Sequence, residues 1–417
     1  MASIREVMRG NLLVFTMGDV MRQFSMFITF PYFSLYVQAL GGSVVDIGIV
    51  NSLRPLMALF LYPIAGYLSD RYSRVKIITI TGFAGSLLWL VFIFAQDWRW
   101  LALGNLLLGV MTFYFPAANS LMAESLPRDK RALGYSMWQA IPMAAGIFSP
   151  LAGGYLISLW GVETAMRFLY GMTLVVAVLI AGMNYRFLKE AERSLPKDNL
   201  DLVGVLAKSY REVIEVILWL PRNLKAYGVM LVLGFFFNSM VSSYWVIYVI
   251  KVIGLSEVQW GLVLLVASVA NVLLLLPAGM VVDRFGPKRV LTIALIMGAV
   301  PILAFTYIRS FYSVIALLVL VTIANSFLMS GAPAYMAKAT PSEKRGRIMS
   351  ALGQGMLLIN TRGGGVGGPG MGALLTIPTI AGSLLGGVVY SYDPKLLWVS
   401  FGLSMLCSAV ISALFLE

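Results

Sequence analysis

Histidine is absent from the 417-residue chain and cysteine occurs once, at Cys407. These gaps exclude disulfide frameworks, His/Cys metal sites, thiol nucleophiles and imidazole acid–base chemistry together. Charge is scarce too: 12% of residues are charged against 59% hydrophobic, and mean hydropathy is +0.85. No water-soluble globular chain has this balance, so a soluble two-domain enzyme is excluded. Any proton chemistry must use carboxylates. With a single carboxylate inside the apolar runs, no catalytic pair, metal site or cofactor is expected.

What is present is apolar sequence in lengths that cross a bilayer, which takes about 20 helical residues. Cut at charged or Pro/Gly turns, the runs give six spans at about 12–40, 47–68, 75–95, 100–124, 133–160 and 164–188. Six more follow at about 224–252, 258–282, 290–308, 312–339, 374–391 and 396–415. The expected fold is an all-α membrane protein of twelve transmembrane helices in two six-helix bundles. Its parts would be residues 1–188, a cytoplasmic linker at 189–223 with an amphipathic helix, and 224–417. Arg5 and Arg9 lead into a run too long for a signal h-region, so no cleavable signal peptide is expected.

The net charge of +12 raises nucleic acid as a partner, and its distribution answers the question. With Met1 inside, 23 of the 31 Lys and Arg fall at cytoplasmic positions, and only Arg99, Arg167, Lys251, Arg309 and Lys395 fall outside. Arg22 and Arg54 lie within spans, and Arg362 is ambiguous. The positive-inside rule then places both termini in the cytoplasm of a multi-pass cell-membrane protein, with no role for nucleic acid. In the linker, KEAERSLPKDNLD precedes LVGVLAKSYREVIEVILWL, a polar stretch leading to an amphipathic surface helix. That helix serves mechanical connection or a regulatory contact.

The second half repeats the first. At an offset of 213 residues, GYLSDRYSRVKIITI from Gly66 aligns with GMVVDRFGPKRVLTI from Gly279, and MAESLPRDKR from Met122 aligns with MAKATPSEKR from Met336 one residue further on. Parallel repeats of six helices account for both matches. The loop formed by Gly66, Asp70, Arg71 and Arg74, repeated at Gly279, Asp283 and Arg284, resembles the signature loop of the major facilitator superfamily. The resemblance covers the whole chain. It implies two bundles rocking about a central cavity lined by spans 1, 4, 7 and 10. It also implies a gating loop in which Gly66 permits close helix approach and Asp70 latches onto the neighbouring arginine and the start of span eleven. Helix capping and topology explain the same letters. Gly146, Pro150, Gly153 and Gly154 are similar to the span-five motif of drug/proton antiporters, with Ala145 and Ser149 where that motif prefers glycine. Packing glycines would read the same way.

Asp19 is the carboxylate that lies well inside a span, where a charge costs about 2.5 to 3.5 kcal/mol. Arg22 is one turn away, and Arg54, 16 residues before Asp70, reaches a similar depth of roughly 20 to 24 Å. The offset of 213 puts Val232, Phe235 and Ala267 at the matching positions, so the cluster belongs to one half. Two readings stay open: a pair that locks span one to span two, or a carboxylate that cycles a proton beside cations facing an anionic or polar substrate group. Further inward candidates are Tyr32, Tyr36, Asn105, Trp138, Gln139, Asn238, Tyr244, Trp245, Asn271 and Asn325. Asn105 stands four residues before Gly109, where the family's span-four motif usually carries arginine, and this shifts weight to Asp19. The 23 methionines and 12% aromatics suit an apolar cavity, as membrane composition does in general.

The halves differ near span eleven. Arg131 precedes Ile141 by ten residues, whereas Arg345 precedes Ile377 by 32, an insertion of 22. Within it TRGGGVGGPGMG has seven glycines in twelve residues, so the helix should break near 360–372 and span eleven should restart near Leu374. Residues 347–359 should form a short helix, and Arg362 becomes a candidate cytoplasmic gate residue. The sequence thus points to a monomeric secondary transporter moving a small molecule through the lipid bilayer, with protons as the coupling ion and amphipathic or anionic compounds exported. An importer of an organic anion and a transport-dead membrane sensor are the rivals.

Overall fold

A computed structural model describes residues 8–126, 131–190, 202–341, 344–364 and 371–416. The expected polar linker over 191–201, the basic residues Arg5, Arg128 and Lys130, and the glycine stretch 365–370 lie outside the described residues. Among the described residues every regular element is helical.

The first half contains six spans. Helix α1 covers Gly10–Thr29, breaks at Phe30–Tyr32 and resumes over Phe33–Ala39, because Pro31 has no N–H to give the preceding turn. Helices α2 (Val44–Arg71) and α3 (Arg74–Ile93) follow. Helix α4 runs through Trp98–Leu108, a 3-10 turn at Gly109–Phe113 and Tyr114–Ser125, and α5 through Arg131–Ala145 and Ser149–Trp160. Helix α6 is Val162–Phe187, and the amphipathic α7 is Leu202–Trp219.

The second half begins with α8 (Arg222–Ser242), continued by Trp245–Tyr248 and Val249–Ile253. Then come α9 (Glu257–Phe285), α10 (Pro287–Ala304), α11 (Phe311–Ala339), the short α12 (Arg345–Leu352), α13 (Ala373–Tyr392) and α14 (Pro394–Phe415). Eleven of the helices among the described residues are long and apolar enough to cross a bilayer. Helix α1, with Asp19 and Arg22 in its apolar run, is the twelfth span.

Local chemistry repeats between the halves. Ser43 and Asp46 form a capping box at the start of α2, and Ser256 and Gln259 form another at the start of α9, again 213 residues on. Each satisfies two N–H groups the helix leaves orphaned. The basic loop is also tied to residues outside the motif. Glu190 accepts from Ser73 Oγ at 2.5 Å and from the backbone N–H groups of Arg74 and Val75, while Arg74 pairs with Glu124 and donates to Ser69 O at 3.3 Å. A Cβ on Gly66 or Gly279 would meet nothing. In this conformation, neither glycine is in close helix contact, and Gly66 borders the open cavity at the Asp70 end.

The two halves meet closely at one end, the end carrying Val44. A Cβ on Gly48 would lie 2.4 Å from Ser383 O, and one on Gly387 would lie 2.7 Å from Val45 Cα. Tyr244 donates to Val44 O at 3.0 Å and Ser34 to Ser243 O at 2.6 Å. Beside them, Gly154 faces Glu257 O and Gly261 faces Pro150 O across the α5–α9 contact.

The insertion departs from the expected helix. Helix α12 ends at Leu352 and α13 starts at Ala373, with Gly353 and Gly355 at φ of 70° and 71°, where only glycine is unstrained. From there residues 355–361 carry no helix and enter the second bundle.

Candidate functional site

At the Asp70 end the halves part around a cavity of about 560 Å³. Its walls are α2 through Asn51, Arg54, Ala58, Tyr62 and Gly66, α4 through Asn105, Thr112, Phe115 and Asn119, and α13 through Ala373 and Thr376. Tyr210 of α7, Met349 of α12, and Gly364 and Met371 of the insertion complete the lining. The α2 residues recur every three or four positions, and Asn105, Thr112 and Asn119 are spaced by seven, so each set shares one helix face. That spacing is readable in the sequence, and Arg54, Gly66 and Asn105 are sequence candidates that reach the cavity.

Beside the cavity lies the ionic cluster. Arg22 pairs with Asp19 at 2.6 Å, and Trp138 of α5 donates from Nε1 to the second carboxylate oxygen at 2.6 Å. Asp19 thus ties α1 to α5, not to α2 as the locking reading had it. The Arg22 guanidinium lies 5.3 Å from the Tyr114 ring and 6.0 Å from that of Phe115, a cation–π setting for a charge in an apolar surround. Arg54 makes no ion pair or side-chain hydrogen bond among the described residues, and it faces the cavity.

Most of the other inward candidates have different places. Tyr32 donates to Pro150 O and Glu257 O, and Tyr36 to Phe92 O; both are fully buried. Tyr244 belongs to the Val44-end seal, and Trp245 packs against Phe305 and Trp398. Asn271 reaches Ser326 at 3.5 Å between α9 and α11. Gln139 is exposed and is not part of the cavity lining. Aromatic and amide side chains supply the few polar contacts available for helix packing inside a membrane, and Tyr32, Tyr36, Tyr244 and Asn271 are used in that way here.

Asn238 and Asn325 are taken up by the insertion: Asn325 Oδ1 accepts from Ile359 N at 2.8 Å and Asn238 Oδ1 from Asn360 N at 2.9 Å. Arg362 is not at the Asp70 end as expected. It lies 4.7 Å from the Phe27 ring of α1 and donates to Ser268 Oγ of α9 at 3.2 Å. No signal in the sequence pairs these residues, because the insertion has no counterpart in the first half. Of the gating loop, Arg71 lies over the Tyr67 ring at 4.3 Å and Arg284 over Phe285 at 5.4 Å. Gly66 and Ala373 both border the cavity.

Comparison with known proteins agrees with this architecture. The Major Facilitator Superfamily model matches residues 16–271 and 227–417. Multidrug resistance protein MdtG of Salmonella typhi is 25% identical over 402 residues, covering 92% of this chain and 95% of its own length. A bacterial homologue of the human lysosomal transporter Spinster, inward-facing and occupied, aligns with a TM-score of 0.70 at 14% identity, covering 97% of this chain and 95% of that one. The nucleoside transporter NupG aligns at 0.69 and 14% identity, covering 98% and 100%. Two repeated six-helix bundles, a seal at one end, a cavity at the other and a family match spanning nearly the whole length lead to one assignment: this chain belongs to the major facilitator superfamily and is a multi-pass membrane transporter.

Proposed function

We propose that the protein is a proton-coupled exporter of small amphipathic or anionic compounds, working by alternating access. Asp19 is the carboxylate that takes and releases the proton. Arg54 is the cation that meets the substrate.

The observation that carries this reading is the position of Asp19, 2.6 Å from both Arg22 and the Trp138 indole nitrogen. Protonation cancels the ion pair with Arg22 and weakens the bond from Trp138, since a neutral acid accepts less strongly than a carboxylate. The tie between α1 and α5 then loosens. Helix α5 carries Gly154, which packs on Glu257 O of α9 at the seal, so proton loading acts on a helix of the closed end.

The excess of Lys and Arg at the Asp70 end favours placing that end and both termini in the cytoplasm. In that orientation the cavity opens inward. Export is supported by the MdtG relatives, which are described as multidrug resistance proteins. Import of an organic anion with the proton is the second reading, favoured by the unpaired Arg54. The protein acts as a monomer in the bilayer, with residues 189–223 as a mechanical link between the units at 1–188 and 224–417.

Reconstitution of Asp19→Asn in liposomes under an imposed pH gradient tests the coupling, using compounds found in a thermal-shift screen of drugs and organic anions. Loss of gradient-driven flux with exchange retained is expected. Full gradient-driven flux by the variant would remove Asp19 from the mechanism, and the sign of the flux separates export from import.

A further inference from the structure

Non-helical backbone inside a membrane protein is tolerated only where protein buries it or it borders a water-filled cavity. The insertion enters such a place and its backbone is provided for. Tyr227 donates to Gly355 O at 2.5 Å, and Asn325 and Asn238 accept from Ile359 and Asn360. Five extended residues from Gly355 to Asn360 advance about 16 Å, and the eleven helical residues from Tyr227 to Asn238 advance about 16 Å as well. The segment therefore climbs beside α8 to about half the depth of the bilayer. Leu357 presses on Gly234 of α8 and Ile359 on Gly298 of α10.

At the top the segment meets the other half. Gly363 and Gly364 adopt φ of 78° and 74°, and a Cβ on either would lie 3.1 Å from Phe30 O or 2.9 Å from the Phe30 ring. Arg362 spans the interface between Phe27 and Ser268. At the bottom the base is closed: a Cβ on Gly372 would lie 2.2 Å from Ala351 O and 2.3 Å from Gly353 N. The chain leaves the helical path at Gly353 and regains it at Gly372, next to where it left.

We propose that this re-entrant segment is the specificity-determining element of the cavity: it fills the second half's share of the central space and occupies Asn238 and Asn325 with its own backbone, and Arg362 pins it to both halves. A substrate then sits between the α2 and α4 walls and the segment, with Arg54 and the amides Asn51, Asn105 and Asn119 of the first half facing it. Large planar compounds are excluded by the segment. The proposal rests on reading the cavity as the transport site.

The closed base permits excision of residues 354–371, joining Gly353 to Gly372. In a Cys407→Ser background, Asn238→Cys reports whether the segment covers α8, because Asn238 is 2% exposed. Labelling by N-ethylmaleimide should be at least ten-fold faster in the excised protein, and several-fold faster in Arg362→Ala, whose segment keeps its length but loses its pin. Equal labelling rates in the excised, Arg362→Ala and full-length proteins would overturn the proposal. Benzoate and fluorescein serve as small and large planar anions in binding measurements on the purified full-length and excised proteins. Excision should tighten fluorescein binding at least ten-fold and leave benzoate unchanged; equal fluorescein affinity also overturns it. If benzoate binds neither protein, the anionic substrate class falls, and the labelling rates still decide the segment's role.

Discussion

The Tyr210 phenol donates a hydrogen bond to the backbone carbonyl of Leu59, and Pro63 is the reason that carbonyl is available. In a regular helix Leu59 O would accept from the N–H four residues on, but position 63 is proline and has none. Helix α7 fills the vacancy. Burial pushes the Tyr210 phenol above its ordinary value, so it remains a donor across the physiological pH range. The linker helix, expected only on the surface, is thus bonded to the middle of α2 and borders the cavity. Its other face meets α12 through Lys344, 3.3 Å from the Trp219 ring.

Removal of this bond is expected to destabilise the protein through a specific partner. Tyr210→Phe leaves Leu59 O unpaired, at a cost of about 1 to 3 kcal/mol. Pro63→Ala restores an N–H to the helix, so Tyr210→Phe in that background should cost clearly less. A double-mutant cycle on detergent-solubilised protein, read by thermal unfolding, measures the coupling. Additive effects would break the link between Pro63 and Tyr210.

The Asp19–Arg22 pair makes a second cycle. Arg22→Gln alone strands a carboxylate inside the membrane, and losing one partner of a buried pair costs about 3 to 5 kcal/mol. Arg22→Gln with Asp19→Asn removes both charges and should recover most of the lost thermal stability without recovering proton-driven flux. Recovery of both would make the pair a structural lock with no part in coupling.

The fold was legible because its determinants are periodic: apolar run lengths, the 213-residue repeat and the distribution of Lys and Arg all survive without knowledge of contacts. The ionic cluster was legible because an Asp in an apolar run is conspicuous. The tie from Asp19 to Trp138 was not, because it joins α1 to α5 across 119 residues. The roles of Asn238 and Asn325 were hidden for a different reason. An asparagine facing inward reads alike whether it meets a substrate or a backbone N–H, and its partner here is an insertion without a template in the other repeat.

Arg54 offers a test in which stability and function move in opposite directions. An unpaired intramembrane cation costs about 2.5 to 3.5 kcal/mol on insertion scales, so Arg54→Gln should raise or preserve the unfolding temperature. Binding of anionic compounds should weaken at least ten-fold, and neutral compounds should be unaffected. Unchanged anion affinity in equilibrium binding would leave Arg54 without a ligand role.

Gly154 governs the opposite end. A Cβ there would lie 2.4 Å from Glu257 O and 2.5 Å from the Tyr32 hydroxyl. The first neighbour is backbone, and the second is held by its bonds to Pro150 O and Glu257 O. Neither can yield without separating α5 from α9. Under the proposed alternating-access mechanism, Gly154→Val should therefore hold the Val44 end open and close the Asp70 end. Single cysteines placed at Ser383 and Thr376 in a Cys407→Ser background read the two ends with a membrane-impermeant maleimide applied from either side of proteoliposomes. The variant should gain labelling at Ser383 several-fold and lose it at Thr376 by a similar factor. A gain at Ser383 without a loss at Thr376 would mean that the substitution only loosens the seal, and the glycines would then be packing residues without control over access.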